Sequence, residues 1–296
     1  MRYLIKVPAT SANIGPGFDT LAIAWNLFLK ITVDTNTEGR KIFNRNREEI
    51  QKNDLFIQSL EYTLKYFQIE KTSFIIELVS DIPIGKGLGS SAAAIVGGIC
   101  TGEIIAGKTL SNYEKLKLAL NFEKHIDNLS ACIDGGVVIC MNNNKELIYE
   151  KLPIDYDLWG LIYIPPYNLP TEKARKILPK KYDKEKIVFN LQKLSFLLTG
   201  LLKKDERLLN LGLDDCIHQP YRFRLIKEFT IIYEEMKNLN KKLVLSGAGP
   251  SLLSLFFSYE EALETLDKLK NNLREKVNGE FIILKINYQG PIIKKL

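Results

Sequence analysis

The sequence predicts an α+β chain folded as two domains that share a cleft, and three observations predict it. Its 296 residues are long for one hydrophobic core and comfortable for two. In both halves, short strand-like apolar runs are interleaved with segments whose apolar residues recur at helical spacing. Between Pro153 and Asp157 the texture changes and a fresh strand-like run opens, which puts the boundary near residue 155 and the domains at 1–155 and 156–296.

The elements follow in order. RYLIKV and WNLFLKITV read as strands, and the polar stretch TNTEGRKIFNRNREE follows them. NDLFIQSLEYTLKYF has helical apolar spacing behind an Asn/Asp start signal, and TSFIIELV is the next strand. IPIGKGLGSSAAAIVGGICTGEIIAG is a proline- and glycine-bearing loop running into a buried helix that can start at Ala92, Ala93 and Ala94. SNYEKLKLALNFEKH is a helix capped by Ser111, with Glu114 in the capping-box position, and the strands GGVVICM and ELIYEKL follow. The second half opens on the strand LWGLIYIPP and holds helices at roughly 171–178, 186–202, 219–238 and 259–272. Three late strands, KLVLS, SLLSLFF and EFIILKINY, are separated by a glycine turn and a helix. No repeat of fixed period interrupts the chain.

Composition excludes several classes. Hydrophobic residues at 46% and charged residues at 26% are ordinary for a globular chain. No window holds the roughly 18 uninterrupted apolar residues of a membrane span. MRYLIKVPA carries Lys6 and Pro8 where a signal peptide needs an apolar stretch, so a soluble cytoplasmic protein is expected. Cys100, Cys132, Cys140 and Cys216 form neither a CxxC pair nor a dense framework and read as reduced, mostly buried thiols. The formal charge is +6, but the Lys-rich segments KKYDKEK, NLNKKL and KLKNNLREK alternate with acids or amides as solvated faces do. A nucleic acid would need an unbroken basic stripe with interleaved aromatics, so nucleic-acid binding is not expected.

Three irregular glycine-bearing segments carry the chemistry. PATSANIGPGFDT, residues 8–20, sets Ser11, Asn13 and Asp19 beside its glycines and prolines. GKGLGSS, residues 85–91, leads into a helix. Glycines let the backbone approach an anion, and a helix N-terminus turns unpaired N–H groups and a partial positive charge toward it, so a phosphate chain is the natural guest. Taken alone, such a turn is as readily a packing device. One of the adjacent serines can cap the helix while the other offers a hydroxyl to Mg²⁺ or phosphate. The spacing is neither the P-loop ending in GK(S/T) nor GxGxxG, which excludes ordinary P-loop NTPases and dinucleotide dehydrogenases. SGAGPS, residues 246–251, turns between two buried strands.

In this order and spacing PATSANIGPGFDT, PIGKGLGSSAAA and LVLSGAGPSLLSLF resemble the three motifs of the GHMP small-molecule kinases. The first has the form PxTSANxGPGFD, the signature of the branch that acts on L-homoserine. The resemblance runs from residue 3 to NYQGPII, which looks like the family's closing strand. It implies an N-terminal domain like ribosomal protein S5 domain 2, with a left-handed crossover, and a ferredoxin-like C-terminal domain, with ATP between them. It further implies transfer of the γ-phosphoryl group of ATP to the hydroxyl of L-homoserine, a step of threonine biosynthesis, in a homodimer. The family's second motif wraps the triphosphate, which puts Pro83, Ile84, Gly85, Lys86, Gly87, Leu88, Gly89, Ser90, Ser91, Ala92 and Ala93 around the nucleotide. The family's Mg²⁺ ligands, a loop serine and a glutamate, fall on Ser91 and Glu123, with Ser90 as the alternative serine.

Glu123, His125, Asp127 and Asn128 lie in FEKHIDNLSACIDGG, which resembles the family's E-G-H-P-D-N segment with Lys124 and Ile126 in place of its Gly and Pro. On the residues alone, a histidine at a helix end is a capped, hydrogen-bonded group; the resemblance makes it part of the site. A small amino acid needs a cation for its carboxylate, an acid for its ammonium and hydrogen bonds for its hydroxyl. Arg175 and Arg222 match family positions and suit the carboxylate, because a guanidinium binds it in a fork. Thr171, four residues before Arg175, shares its side of a helix. Asp19 suits the ammonium, and Asn13, His125 and Asn128 supply polar contacts. Glu123, Asp127 and Asn128 are the catalytic candidates; Asp127 is the nearest general base by sequence, and direct transfer without a base is the other route. His218 has no comparable support and reads as structural, at a helix start. The rival readings are a GHMP kinase for a mevalonate-type alcohol and an S5-like RNA-binding protein, and the second leaves SSAAA and the Glu123 segment unexplained.

Overall fold

The computed structural model describes residues 1–70, 72–142, 146–274 and 276–296. The first half runs β1 (Arg2–Ala12), β2 (Leu21–Asp34), β3 (Arg40–Asn44), α1 (Leu55–Tyr66), β4 (Phe74–Ser80), α2 (Ser90–Ala106), α3 (Asn112–Ala119), α4 (Asp127–Asp134), β5 (Val137–Asn142) and β6 (Leu147–Lys151). The second half runs β7 (Trp159–Ile164), α5 (Thr171–Lys176), α6 (Lys184–Lys203), α7 (Glu206–Gly212), α8 (Gln219–Arg222), α9 (Phe229–Asn238), β8 (Val244–Leu245), β9 (Leu252–Phe256), α10 (Tyr259–Leu273), β10 (Glu280–Lys285) and β11 (Ile292–Lys295).

Two sheets organise these elements. The first has the order β11-β1-β2-β4-β3, with β5 on the early part of β2 and β6 on β5; the second has the order β10-β7-β9-β8. Pairing is antiparallel except between β3 and β4. β1 and β2 pair along their whole length, and an irregularity between Pro8 and Ala9 absorbs the proline, which has no N–H to give the ladder. The chain's last strand returns to the first sheet, where Lys6 faces Ile292 and Tyr3 faces Lys295. α2 is buried over its middle, Ile95 to Glu103, and its small residues admit α1 closely: a Cβ on Gly98 would stand 2.4 Å from the Phe56 carbonyl oxygen. That packing fixes where the N-terminus of α2 points.

Most predicted elements are present, with instructive differences. β3 lies inside the polar stretch; only Ile42 and Phe43 are apolar in it, as suits an edge strand. Asp54 caps α1 and Ser111 caps α3 with its capping box complete. α3 stops at Ala119 rather than continuing to His125, because the Asn121 side-chain amide takes the end carbonyl of Leu118 at 2.9 Å. His125 therefore sits in the turn before α4, a helix the sequence reading lacked. The helix expected over 219–238 is broken at Ile226, and α7 is additional. All four cysteines are free thiols. Among the described residues no helix is long and apolar enough to cross a membrane.

Candidate active site

The three glycine-bearing segments converge on one cleft. Asn13, Gly85 through Ala92, Glu123, His125, Asp127, Asn128, Thr171, Arg175, Arg222 and Gly247 through Gly249 line it, together with Leu169. Gly87 and Gly89 have φ of 75° and 71°, a left-handed backbone that side chains disfavour. Space forbids a side chain as well: a Cβ on Gly87 would lie 2.2 Å from the Ser246 carbonyl oxygen, and one on Gly89 1.9 Å from Thr10 Oγ1. The second motif is thus pressed against the first and the third.

A buried relay of hydroxyls locks the three together. Trp25 Nε1 donates to Ser11 Oγ at 2.8 Å, the Ser11 and Ser246 hydroxyls are 2.6 Å apart, and Ser246 Oγ donates to the Gly87 carbonyl at 2.7 Å. Each hydroxyl has one proton, so Ser11 must donate to Ser246 and the relay has one direction. The Thr10 N–H donates to the Leu88 carbonyl at 3.1 Å. α2 begins directly after this loop, with Gly89 at its N-cap and no side-chain cap. Neither Ser90 nor Ser91 caps the helix, contrary to the expectation for one of them. The first-turn N–H groups lack helical partners and carry the positive end of the helix dipole.

The first loop is held from the other half of the chain. Asn13 and Asp19 both have left-handed backbones, with φ of 57° and 52°, and Asn13 Oδ1 accepts the Asp19 N–H at 2.8 Å. Asn190 Nδ2 donates to the Pro16 carbonyl at 3.1 Å, and His218 Nε2 lies 2.7 Å from the Gly15 carbonyl. The Asp19 carboxylate takes both prongs of Arg175, at 2.7 and 3.1 Å. Burial acts to lower the Arg175 pKa, but the pairing with Asp19 outweighs it and holds the guanidinium above its ordinary value.

Arg222 is differently placed. It is 0% exposed, its Nε donates to the Ala174 carbonyl at 3.1 Å, and its Nη2 has no partner among the described residues. Burial first, and then Arg175, lower its pKa to about 10. A buried, unpartnered donor on a guanidinium lining a cleft is suited to an anionic ligand, since burial without a partner costs free energy. Phe18 lies beneath both guanidiniums, 5.6 Å from Arg175 and 5.0 Å from Arg222.

The residues around α4 complete the wall. His125 gives Glu123 Oε1 two hydrogen bonds, from its backbone at 3.1 Å and from ring Nδ1 at 2.8 Å. Burial pushes the Glu123 carboxyl up, but those bonds outweigh it and the net is a lowered pKa; the same contact raises His125. Asp127, 2% exposed, accepts the Asn128 N–H at 2.7 Å. Burial drives its pKa up to about 6, and the charge of Asp19 adds to the rise. Asn128 Oδ1 accepts from Thr10 Oγ1 at 2.7 Å. Ser91 and Glu123 present hard oxygen donors to the same cleft. Among the described residues no group of three or more His, Cys, Asp or Glu side chains could hold a metal. Two protein oxygens beside a glycine loop at a helix N-terminus fit Mg²⁺, which usually pairs one or two protein ligands with phosphate oxygens and water.

Of the residues singled out in the sequence, Asp19 reaches the cleft through Arg175 rather than lining it. Ile84 and Ala93 line a second cavity, with Leu29, Phe56 and Leu78 among its apolar walls, Asn44 at its edge and Ser90 common to both. Pro83 lines neither. Sequence reasoning missed this cavity, the wall of Gly247 through Gly249, and the placing of Phe18 and His218. SGAGPS was a signal for that wall; nothing local marks Asn44 or Phe18.

The chain matches the family described as GHMP kinases N terminal domain over residues 54–136 and that described as GHMP kinases C terminal over residues 197–275. It is 36% identical to the homoserine kinase of Clostridium botulinum strain Kyoto over 292 residues, which cover 98% of this chain and 97% of that protein. It is 33% identical to the homoserine kinase of Clostridium acetobutylicum, over 91% of this chain and 94% of that one. Among solved structures it is similar to homoserine kinase from Cytophaga hutchinsonii, with a TM-score of 0.88 at 28% identity over 99% of this chain and 97% of that one. It shares its fold with the mevalonate kinase of Methanococcus jannaschii, with a TM-score of 0.69 at 19% identity over 96% of this chain and 98% of that one.

Proposed function

The chain belongs to the GHMP kinase family, and we infer that it acts there as a homoserine kinase, transferring the γ-phosphoryl group of ATP to the side-chain hydroxyl of L-homoserine to give O-phospho-L-homoserine and ADP. The observation that carries this reading is the buried Nη2 of Arg222, without a partner among the described residues, in one cleft with Arg175, whose fork holds Asp19 at the cleft's edge. An unpartnered guanidinium donor near an acid that keeps free lone pairs suits a zwitterion. A mevalonate-type alcohol has no ammonium for Asp19, and an RNA would have no use for the enclosed Arg222.

In this reading the loop from Gly85 to Gly89 and the first turn of α2 bind the phosphates through backbone N–H groups, and the nucleotide base occupies the second cavity beside Ile84 and Ala93. Ser91 and Glu123 would hold Mg²⁺, which supplies charge neutralisation on the phosphates. Arg222 takes the substrate carboxylate and Asp19 its ammonium, while Asn13, His125, Asn128 and Thr171 orient the chain that bears the hydroxyl. As the hydroxyl oxygen forms its bond to the γ-phosphorus and the bond to ADP breaks, the hydroxyl proton passes to Asp127. A carboxylate with a pKa near 6 suits that proton transfer near neutral pH. Most of the acceleration comes from positioning and charge stabilisation, because a loose phosphoryl-transfer transition state asks little covalent chemistry of the protein.

The same reading takes residues 1–155 as the nucleotide-binding domain and 156–296 as its partner, with β11 returned to the first sheet. It also places the enzyme in the cytoplasm, as a homodimer, in threonine biosynthesis. ADP release measured over a panel of L-homoserine, mevalonate and other small alcohols tests the activity, with L-homoserine expected to give the highest kcat/KM. Release with another alcohol and none with L-homoserine would overturn it. Gel filtration with light scattering tests the dimer.

A further inference from the structure

We propose that His218 is a positioning residue for substrate recognition: a neutral imidazole that holds the Arg222 guanidinium through Nδ1 and anchors the first loop through Nε2–H on the Gly15 carbonyl. The proposal rests on the homoserine kinase reading for the identity of the ligand, but not for the state of the ring.

The surroundings of the ring settle its tautomer. Nε2 faces two acceptors, the Gly15 carbonyl at 2.7 Å and Asp215 Oδ2 at 3.6 Å, so it carries the proton. Nδ1 faces Arg222 Nη1 at 3.4 Å, a group that only donates, so Nδ1 presents its lone pair. Asp215 is occupied elsewhere: its carboxylate accepts the backbone N–H groups of Ile217, His218 and Gln219 at 3.0, 2.9 and 2.7 Å. A second ring proton would point at the guanidinium and remove the acceptor. Burial acts in the same direction, lowering the His218 pKa to about 4.

The ring is also fixed in orientation. It is 0% exposed and stacks on Phe18 at 5.2 Å with 26° between the planes. Phe18 in turn lies under both guanidiniums. His218 stands at the start of α8, four residues before Arg222, so the two share one side of that turn. The helix-start expectation holds for its position in the chain and leaves out what the ring does.

The consequence for Arg222 is a division of its donors. Nε is held by the Ala174 carbonyl at 3.1 Å, and Nη1 lies between His218 Nδ1 and the Gly247 carbonyl at 3.5 Å. Only Nη2 is left without a partner among the described residues. His218 thus selects which edge of the fork meets the ligand carboxylate. Through Gly15 it ties that edge to the loop bearing Asn13 and Asp19, which serve the other end of the amino acid.

Two substitutions separate the ring's contacts. His218→Gln keeps a donor near the Nε2 position and loses the Nδ1 acceptor; His218→Asn keeps an acceptor near Nδ1 and loses the loop contact. For His218→Gln the KM for L-homoserine should rise about tenfold, with kcat within about threefold and the KM for ATP within about twofold. The KM, or competitive inhibition constant, of 3-aminopropan-1-ol, which lacks the carboxylate, should not change. His218→Asn, which keeps the Nδ1 acceptor, should recover the discrimination between the two compounds, while its loss of the loop contact raises both constants by a similar factor. Equal losses for both compounds with His218→Gln, or no loss with it, would overturn the proposal.

A second measurement needs neither substrate nor a variant. The ¹⁵N spectrum of the histidine-labelled wild-type protein should show His218 as the neutral Nε2–H tautomer from about pH 5 to 8. A protonated ring or an Nδ1–H tautomer there would sink the proposal. If the wild-type protein releases no ADP with L-homoserine, the functional reading fails, while the spectrum still decides the state of the ring.

Discussion

Asp19 and Arg175, 156 positions apart in sequence, meet as a bidentate ion pair with nitrogen–oxygen distances of 2.7 and 3.1 Å. Arg175 thereby spends its fork on the protein's own acid, while Arg222 Nη2 has no partner among the described residues. Asp19 retains lone pairs beyond those the fork uses, so an ammonium can still be received by a carboxylate whose direction Arg175 has set. Removal of the acid should therefore act on the amino acid and not on the nucleotide. Asp19→Ala is expected to raise the KM for L-homoserine by about tenfold or more and the KM for ATP by less than about twofold. Steady-state kinetics with each substrate varied in turn check this; parallel rises in both constants would mean that the loop had collapsed instead.

The burial of Asp127 fixes the sign of two pH effects. Its native carboxyl titrates at about 6 against an ordinary value of 3.8. As pH rises between those values the unfolded chain gives up the proton first, so the group increasingly costs stability and the cost is constant above about pH 6. Asp127→Asn should then be more stable than wild type at pH 7.5, by on the order of 3 kcal/mol, and no more stable near pH 3.5. If Asp127 takes the hydroxyl proton, kcat/KM of the wild type rises through about pH 6 and then levels, and Asp127→Asn loses that limb together with at least about a hundredfold in kcat. Turnover retained within a few-fold would leave direct transfer as the route. Denaturant titrations and pH–rate profiles of the two proteins give both answers.

Much of this was legible in the sequence, because the informative residues are local. The Ser111–Glu114 box, the Asp54 cap and the glycine loop before α2 are short-range patterns whose chemistry needs no tertiary context. Glu123, Asp127 and Asn128 also came within one segment. The Asp19–Arg175 pair was not legible, since nothing in either stretch says that one will neutralise the other. The break after Ala119 was hidden because the apolar spacing continues through Phe122, and the stop depends on one Asn121 side chain. His218 looked isolated for the same reason: its partners Gly15 and Phe18 lie some two hundred positions away.

Gly87 is where the second and third motifs touch, so it tests whether their contact supports nucleotide binding. A methyl there would sit 2.2 Å from the Ser246 carbonyl oxygen, and the backbone φ of 75° is unfavourable for alanine. Neither strain can be relieved by rotating a side chain, because the obstructing atoms are backbone. Gly87→Ala is expected to cost about 2 kcal/mol or more of stability and to raise the KM for ATP at least about tenfold, with a smaller change for L-homoserine. Thermal unfolding paired with substrate titrations checks it; normal ATP kinetics in a folded variant would separate the packing of the loop from its binding role.

Ser90 and Ser91 offer a choice that the helix start decides in part. Gly89 holds the N-cap position, so neither hydroxyl is committed to capping. Ser90 borders both cavities, whereas Ser91 lines only the cleft that also holds Glu123. In the homoserine kinase reading a divalent cation between phosphate and protein would take Ser91 and Glu123 as its oxygen pair, leaving Ser90 toward the base. Ser91→Ala and Glu123→Gln should each raise the Mg²⁺ concentration for half-maximal activity by about tenfold, and Ser90→Ala by less than about threefold. Because Glu123 also holds His125, at 2.8 Å from Nδ1, its substitution should disturb L-homoserine binding as well. Ser91→Ala should not. Titration of Mg²⁺ at saturating ATP for the three variants discriminates; a larger effect from Ser90 than from Ser91 would exchange the two assignments.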